Sequence, residues 1–355
     1  MMTRRMMLVM VGLSLIMVGA AMPMIKPSPQ LGDPLPHLTP HELARFTQGK
    51  AVFSREFTAD TGLGPFFNNT SCAQCHEDPV TGGAGAFNED DVDVERHATA
   101  GDKPACNELS GVGGPVFRQQ TTGPALPPIP ADAAVHIGLR STPMLFGFGL
   151  IEAIPETAIE ANERPGGGRA ARLPSGQLGR FGRKATDPDL PTFVTGAFAA
   201  EQGVDVPSEL SPADRDLTVD FVRFLAPPVP LRGDHEGREV FHRLGCAECH
   251  VPAFVTKSPI KALDRQVVPL YSDLLLHDMG PALADLCKGV AGRAEFRTEP
   301  LMGLRARTRF LHDGRALTLE SAIAQHGGQG ATAATAFLNL SRRDREALLR
   351  FLKSL

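Results

Sequence analysis

The sequence predicts a mainly α protein made of two tandem helical domains with long Gly/Pro-rich loops. Three observations carry this reading. Three pairs of segments recur in the same order: "QGKAVFSR" (48–55) with "EGREVFHR" (236–243), "SCAQCH" (71–76) with "GCAECH" (245–250), and "LSPADRDLTVDFVRFL" (210–225) with "LSRRDREALLRFLKSL" (340–355). Glycine and proline are abundant, 36 and 30 in 355 residues, which calls for many turns. Alternation of the strand type is scarce along the whole chain.

The length exceeds one typical domain, and a hydrophobic content of 42% can fill two cores. Charge is balanced, with 36 basic and 40 acidic residues and no basic run, so a nucleic-acid partner is not indicated.

Taken in order, the chain starts with Arg4 and Arg5, then an apolar run ending in small residues at 19–21. That is the layout of an export signal over 1–24, or of a retained N-terminal anchor. The body is therefore expected in the periplasm, touching a membrane only through that segment. The first domain is placed at 38–225, a proline-stiffened linker at 226–234, and the second domain at 235–355. Each repeat runs from a short helix through its CxxCH to a closing amphipathic helix. Ser211 and Ser341 are the N-caps of the closing helices, with Asp214 and Asp344 three residues on. Leu217, Phe221 and Phe224 recur at helical spacing, as do Leu348, Phe351 and Leu355. The first half is the longer, and its extra length is rich in Gly, Pro and Ala.

The six cysteines divide into two motif pairs and a remainder, Cys106 and Cys287. The remainder could form a disulfide in an oxidising compartment or be two separate buried thiols. CxxCH is the signature of c-type haem attachment. Two thiols one helical turn apart each add across a haem vinyl group, and the histidine that follows meets the iron. Cys72 and Cys75 would hold haem 1 with His76 on its iron. Cys246 and Cys249 would hold haem 2 with His250. A zinc site would need both CxxC pairs together, whereas each lies in its own repeat. A thioredoxin-type CxxC expects a βαβ context that is missing.

With these motifs, "GLGPFFNNTSCAQCH", "LRSTPMLFGFGLIEAIPETAI", "GRFGRKA", "YSDLLLHDMGPALAD" and "FRTEPLMGLRARTRFLHDGRALTLESAI" make the chain resemble the bacterial di-haem cytochrome c peroxidases and their MauG-like relatives, and within them the di-haem oxidoreductase branch. The resemblance implies two cytochrome c-like helical domains, two covalently bound c-type haems and a calcium ion as a further cofactor. It implies a peroxidase-type oxidoreductase: hydrogen peroxide is reduced at haem 1, with electrons passed through haem 2 from a small exported cytochrome or cupredoxin. The alternatives are a MauG-like oxidase of a protein or organic substrate and a non-catalytic electron carrier. Arg183 and Met302 stand where the family often has Trp, which removes a tryptophan relay between haems.

Peroxide cleavage needs a group that moves a proton between the two oxygens. The relatives use a distal glutamate, so the loop around Gly147 and Gly149 supplies the candidates. Glu152, flanked by Leu150, Ile151, Ala153 and Ile154, leads, with Glu156 and Arg140 completing the catalytic set. Glycines there would let backbone approach a flat macrocycle. A distal His on haem 1 could be His97 or His136, with His97 expected to be solvated. For haem 2 the relatives place the sixth ligand fourteen residues after the His of an HDG motif; from His312 that register reaches His326. Met279, or nearby His277, is the rival. His/His ligation would give haem 2 a lower potential than His/Met.

Overall fold

The computed structural model describes residues 29–85, 93–131, 133 and 137–355. The 1–24 segment and His136 lie outside the described residues. Helices follow in the order α1 (Pro40–Phe53), α2 (Cys72–Cys75), α3 (Phe148–Glu152), α4 (Glu156–Glu160), α5 (Leu190–Ala197), α6 (Pro212–Phe224), α7 (His235–Arg243), α8 (Leu319–Ala324), α9 (Ala331–Leu338) and α10 (Arg342–Leu352). No helix among the described residues is long and apolar enough to cross a membrane.

The duplication read from the sequence is a duplicated helix pair. α1 crosses α6, and α7 crosses α10. Each crossing is made close by a glycine. A Cβ on Gly49 would meet the backbone of Leu217 and come within 2.9 Å of the Phe221 Cβ. A Cβ on Gly237 would meet the backbone of Ala347 and come within 2.6 Å of the Phe351 Cβ. The two crossings also share an ion pair: Arg55 to Asp214 at 3.0 Å and Arg243 to Asp344 at 2.7 Å tie the end of the first helix to the start of the closing one. Ser211 and Ser341 cap as expected, each Oγ accepting the N–H three residues on. The carboxylates of Asp214 and Asp344 serve the arginines instead of closing a capping box.

Strands are more numerous than the sequence predicts, but short. Five antiparallel two-stranded ladders occur among the described residues: β1 (Phe66–Phe67) with β3 (Gln120–Thr121), β2 (Val94–Ala98) with β4 (Ile137–Ser141), β5 (Ala171–Arg172) with β6 (Leu178–Gly179), β7 (Phe254–Val255) with β8 (Val267–Val268), and β9 (Leu276–Asp278) with β10 (Glu295–Arg297). Elements of two to five residues are too short for alternation to register.

The larger core gathers α1, α3, α5 and α6 through Phe53, Phe148, Leu190 and Phe221, and takes in Phe254, Leu263, Val268, Leu270, Leu274 and Leu275 from beyond the linker. The smaller core holds Phe241, Tyr271, Phe337, Leu348 and Phe351. The linker thus divides the repeats without dividing the packing. Cys106 and Cys287 form a disulfide that spans 181 positions and fastens the first-half insertion to the second half.

On an exposed helix, Gly→Ala gains about 1 kcal/mol of helix propensity. At Gly49 the added methyl must push against a neighbouring backbone, which costs about 1–3 kcal/mol. Gly49→Ala should therefore lower the urea midpoint; a raised midpoint would show that α1 and α6 can part without loss.

Candidate functional site

Each CxxCH sits under its helix pair. Ser71 caps α2 in a reciprocal box with Gln74, and the turn presents Cys72 and Cys75 with His76 directly after. The second motif opens on Gly245, whose φ of 80° is the left-handed value glycine permits, and runs through a 3₁₀ turn over Cys246–Glu248. The aromatic pair of each helix crossing packs towards its histidine. Phe53 lies 4.9 Å from Phe221 and 5.9 Å from His76, ring centre to ring centre. Phe241 lies 5.5 Å from Phe351 and 6.5 Å from His250.

Both histidines are oriented by backbone. His76 Nδ1 bonds to the carbonyls of Pro143 at 2.9 Å and Gly83 at 3.1 Å. His250 Nδ1 bonds to the carbonyl of Tyr271 at 2.9 Å. An Nδ1–H donated to a carbonyl leaves Nε2 as the lone-pair nitrogen, the usual arrangement of a metal-ligating histidine. Burial lowers the pKa of His76, and burial pushes His250 down to about 4, with His326 and His277 adding to the shift. Both rings are then neutral and able to ligate at neutral pH.

The four motif cysteines are free thiols. Burial raises Cys75 and pushes Cys72 up to about 12 and Cys246 up to about 11, so these remain S–H. Reactive or metal-binding thiolates need the opposite, electropositive setting. Among the described residues no group of three or more His, Cys, Asp or Glu is arranged to hold a metal ion, so the CxxC pairs do not assemble into a zinc site and no calcium cluster stands out.

A cavity of about 270 Å³ opens beside His76, with Cys72, Cys75 and Phe53 in its wall. Buried polar atoms without a protein partner collect around it: Nδ1 of His97, Nη2 of Arg140, and both amide atoms of Gln202. A cavity with two thiols, a neutral histidine with a free Nε2 and unpaired polar atoms fits a c-type haem.

Glu152 and Glu156, expected at the first haem, lie elsewhere. Glu152 does not line the cavity. Its Oε2 lies 2.8 Å from Arg223 and its Oε1 accepts the Leu190 N–H at 2.9 Å, so it braces α3 against α5 and α6. Glu156 pairs with Arg180 at 3.6 Å and accepts the Leu178 N–H. The apolar neighbours of Glu152 in sequence point to the core while its own side chain does not. Gly147 and Gly149 face protein, not the cavity: a Cβ on Gly149 would strike the backbone of Arg223, and one on Gly147 the Met302 side chain. Arg140 does line the cavity, but it pairs with Asp285 rather than with Glu152.

Four carboxyls line the cavity, Asp93, Glu95, Asp187 and Glu201, and the last comes from a π-helical turn at Phe198–Gln202. Single π turns recur at functional sites. Asn68 donates to Glu201 at 2.6 Å, and burial with the nearby Glu95 charge pushes its pKa up to about 8. His97, expected to be solvated, is 6% exposed on β2 and lines the same cavity. Its Nε2 lies 2.6 Å from Glu95, and burial holds its pKa below the usual value. The neutral ring donates through Nε2 and keeps its lone pair on Nδ1.

At the second motif, His326 donates Nδ1–H to the Ala322 carbonyl at 2.8 Å, leaving Nε2 free, and it acts electrostatically on His250. Met279 is close by: a Cβ on Gly330 would lie 3.0 Å from the His326 Cβ and 3.4 Å from the Met279 Cε. His277 is otherwise engaged. Its ring bonds Asp273 and Gln329, each at 2.8 Å; burial lowers its pKa, but the bonds to Asp273 and Cys249 and their charges together push it up to about 10, so no lone pair remains for a metal.

Two histidine–thiol centres on duplicated helix pairs define a two-centre haem protein. The chain belongs to the family described as "Di-haem oxidoreductase, putative peroxidase", whose sequence model matches residues 27–104 and 229–355. No curated protein matches it. Among the solved structures to which it is distantly similar, three are each 15% identical to it. The diheme peroxidase BthA from Burkholderia thailandensis has a TM-score of 0.48 over 88% of this chain and 86% of its own. Hydrazine synthase from Kuenenia stuttgartiensis has 0.45 over 97% and 98%, and a MauG-like protein associated with microbial copper homeostasis has 0.42 over 92% and 94%.

Glu201 gives a pH signature. A carboxyl whose pKa is about 4.5 when exposed and about 8 in the fold binds more protons folded than unfolded between those values. Its contribution to stability therefore falls as pH rises from 4.5 to 8. Glu201→Gln should stabilise the protein at pH 8 more than at pH 5, read from melting temperatures. An equal shift at both pH values would mean that Glu201 titrates normally.

Proposed function

We propose that the protein is an exported di-haem c-type cytochrome that reduces hydrogen peroxide to water, taking two electrons and two protons per peroxide. The observation that carries the reading is the cavity at His76, where a carboxylic acid and a neutral imidazole with a free nitrogen face the same space as the first pair of motif thiols. Cys72 and Cys75 would hold haem 1 by thioether bonds, with His76 as a ligand to its iron; Cys246, Cys249 and His250 would hold haem 2. When bound, haem 1 supplies the iron that meets peroxide and haem 2 supplies an electron store. On this reading each half, 38–225 and 235–355, is a cytochrome c-like domain joined through 226–234.

The residues of the cavity divide the proton work. Nδ1 of His97 takes the proton from the oxygen that stays, and its Nε2–H bond to Glu95 steadies the charge that develops. Glu201, protonated at neutral pH, gives a proton to the oxygen that leaves as water. Apolar walls from Phe53, Phe148 and Phe198 keep bulk water from competing for these protons. His326 is the sixth ligand proposed for haem 2, with Met279 as the rival. Export is supported by the Cys106–Cys287 disulfide and by the 1–24 segment. A small exported electron-transfer protein is the proposed donor.

Three measurements test these assignments. The purified chain should give a pyridine haemochrome signal of two haems, and replacing Cys246 and Cys249 by serine should halve it. Glu201→Gln should cut peroxide turnover by about 10²–10⁴-fold, the usual share of a general acid. Glu152→Gln should leave turnover within a few-fold and lower the melting temperature; the reverse pattern would return the acid role to Glu152. The oxidised protein should lack the near-infrared Met–iron band, and His326→Ala should change the low-spin spectrum; a spectrally silent His326→Ala would move the ligand to Met279. No peroxide response, with both irons six-coordinate, would favour an electron carrier.

A further inference from the structure

The wall of the first cavity that faces the second half is strongly basic. Arg140, Arg183, Lys184 and Arg297 all line it. Their direct ion pairs are few, although Glu95, Asp273 and Glu295 act on Arg140, Arg297 and Lys184 from further off. Asp285 serves Arg140, Lys184 at 3.3 Å and His312 at 3.3 Å. Glu299 serves Arg183 at 2.7 Å, Arg307 at 2.9 Å and Arg297 at 3.2 Å. In direct ion pairs, four arginines and Lys184 thus share two carboxylates in a largely buried layer. Buried charge left uncompensated is strongly unfavourable, so such a layer is built for an anion. Nη2 of Arg140, on a side chain 7% exposed, has no partner in the protein.

Near the thiols the cavity is acidic. Glu201 acts electrostatically on both Cys72 and Cys75, and Asp93 on Cys75. The cavity therefore has a thiol-and-carboxyl edge and a guanidinium edge. A haem has the same division: its vinyl groups lie on one edge and its two propionates on the other. With the vinyl edge held at the thiols, the propionates would be left for the arginines.

We propose that Arg140, Arg183 and Arg297 form a carboxylate clamp on the wall of the first cavity, and that the carboxylates it holds are the propionates of haem 1. This rests on the haem reading above and adds the group that orients the macrocycle. Guanidiniums suit the task because they present paired donors in a plane. The same layer repels a divalent cation, so calcium has no place at this edge. Through Glu299 and Asp285 the clamp also joins the propionate edge to residues of the second half.

The test uses the haem-loaded full chain. Arg183→Gln and Arg140→Gln each remove one cation near the iron, which favours the more positive oxidised state. Both should lower the reduction potential of haem 1 in a spectroelectrochemical titration, leave that of haem 2 in place, and shift the propionate bending bands in resonance Raman. Arg183→Lys keeps the charge but not the fork; it should hold the potential and still move the bands. Unchanged potential and bands in the glutamine variants, at full haem content, would overturn the clamp; if one variant fails to fold, the other decides. Acetate is added to the wild type as a probe for a free carboxylate. A spectral response to it that Arg183→Gln abolishes would assign the guanidiniums to an external anion and overturn the propionate assignment. A chain with no haemochrome signal would sink the haem reading itself, a different failure from the loss of the clamp alone.

Discussion

Everything in this molecule hangs on two close helix crossings. A glycine in the first helix of each half lets its backbone touch the closing helix, Gly49 at Leu217 and Gly237 at Ala347. That contact presses two phenylalanines together beside a histidine, and an Arg–Asp pair locks the crossing from the rim. The histidine is then held from the other side by a carbonyl, from Pro143 in one half and Tyr271 in the other. Ring position and tautomer follow from packing and one hydrogen bond.

Around the first of these sites the charges are sorted. Carboxyls gather near the thiols and guanidiniums gather on the wall towards the second half. Burial makes the sorting matter, because weakly screened charges shift one another's protonation. Glu201 is kept protonated by burial and by Glu95, whereas burial with too many cations around it drives the His312 imidazole down to about 3. One cavity can therefore hold a proton donor and an anion-binding edge without the two cancelling.

The repeat, the motif histidines and the capped closing helices were legible in the sequence because each rests on local spacing. Gly49 and Gly237 were legible too, as members of matching segments, though not the reason for them. Glu201, the acid proposed for the cavity, was not legible. Glu152 has apolar neighbours along the chain, but a helix turns its side chain away from them and towards Arg223. Glu201 carries no local signal: "AFAAEQG" reads as an ordinary helix end, and only the fold brings it to Asn68 and Glu95. His97 looked solvated because its neighbours are polar, yet the ladder of β2 with β4 buries it. Short ladders were missed for a related reason: two or three residues cannot display a period.

The Cys106–Cys287 bond bears on the order in which the chain is assembled. It closes a loop over 181 positions, while each CxxC pair could close a ring of only four residues. Loop length alone favours the short rings by about 3 kcal/mol in an unfolded chain. A chain left to oxidise would therefore seal the motif thiols first and leave Cys106 and Cys287 apart. If the motif thiols are to reach haem, they must be kept reduced until they have done so, and the long-range bond must wait until folding has brought its two halves together. Oxidation is then the last step of maturation.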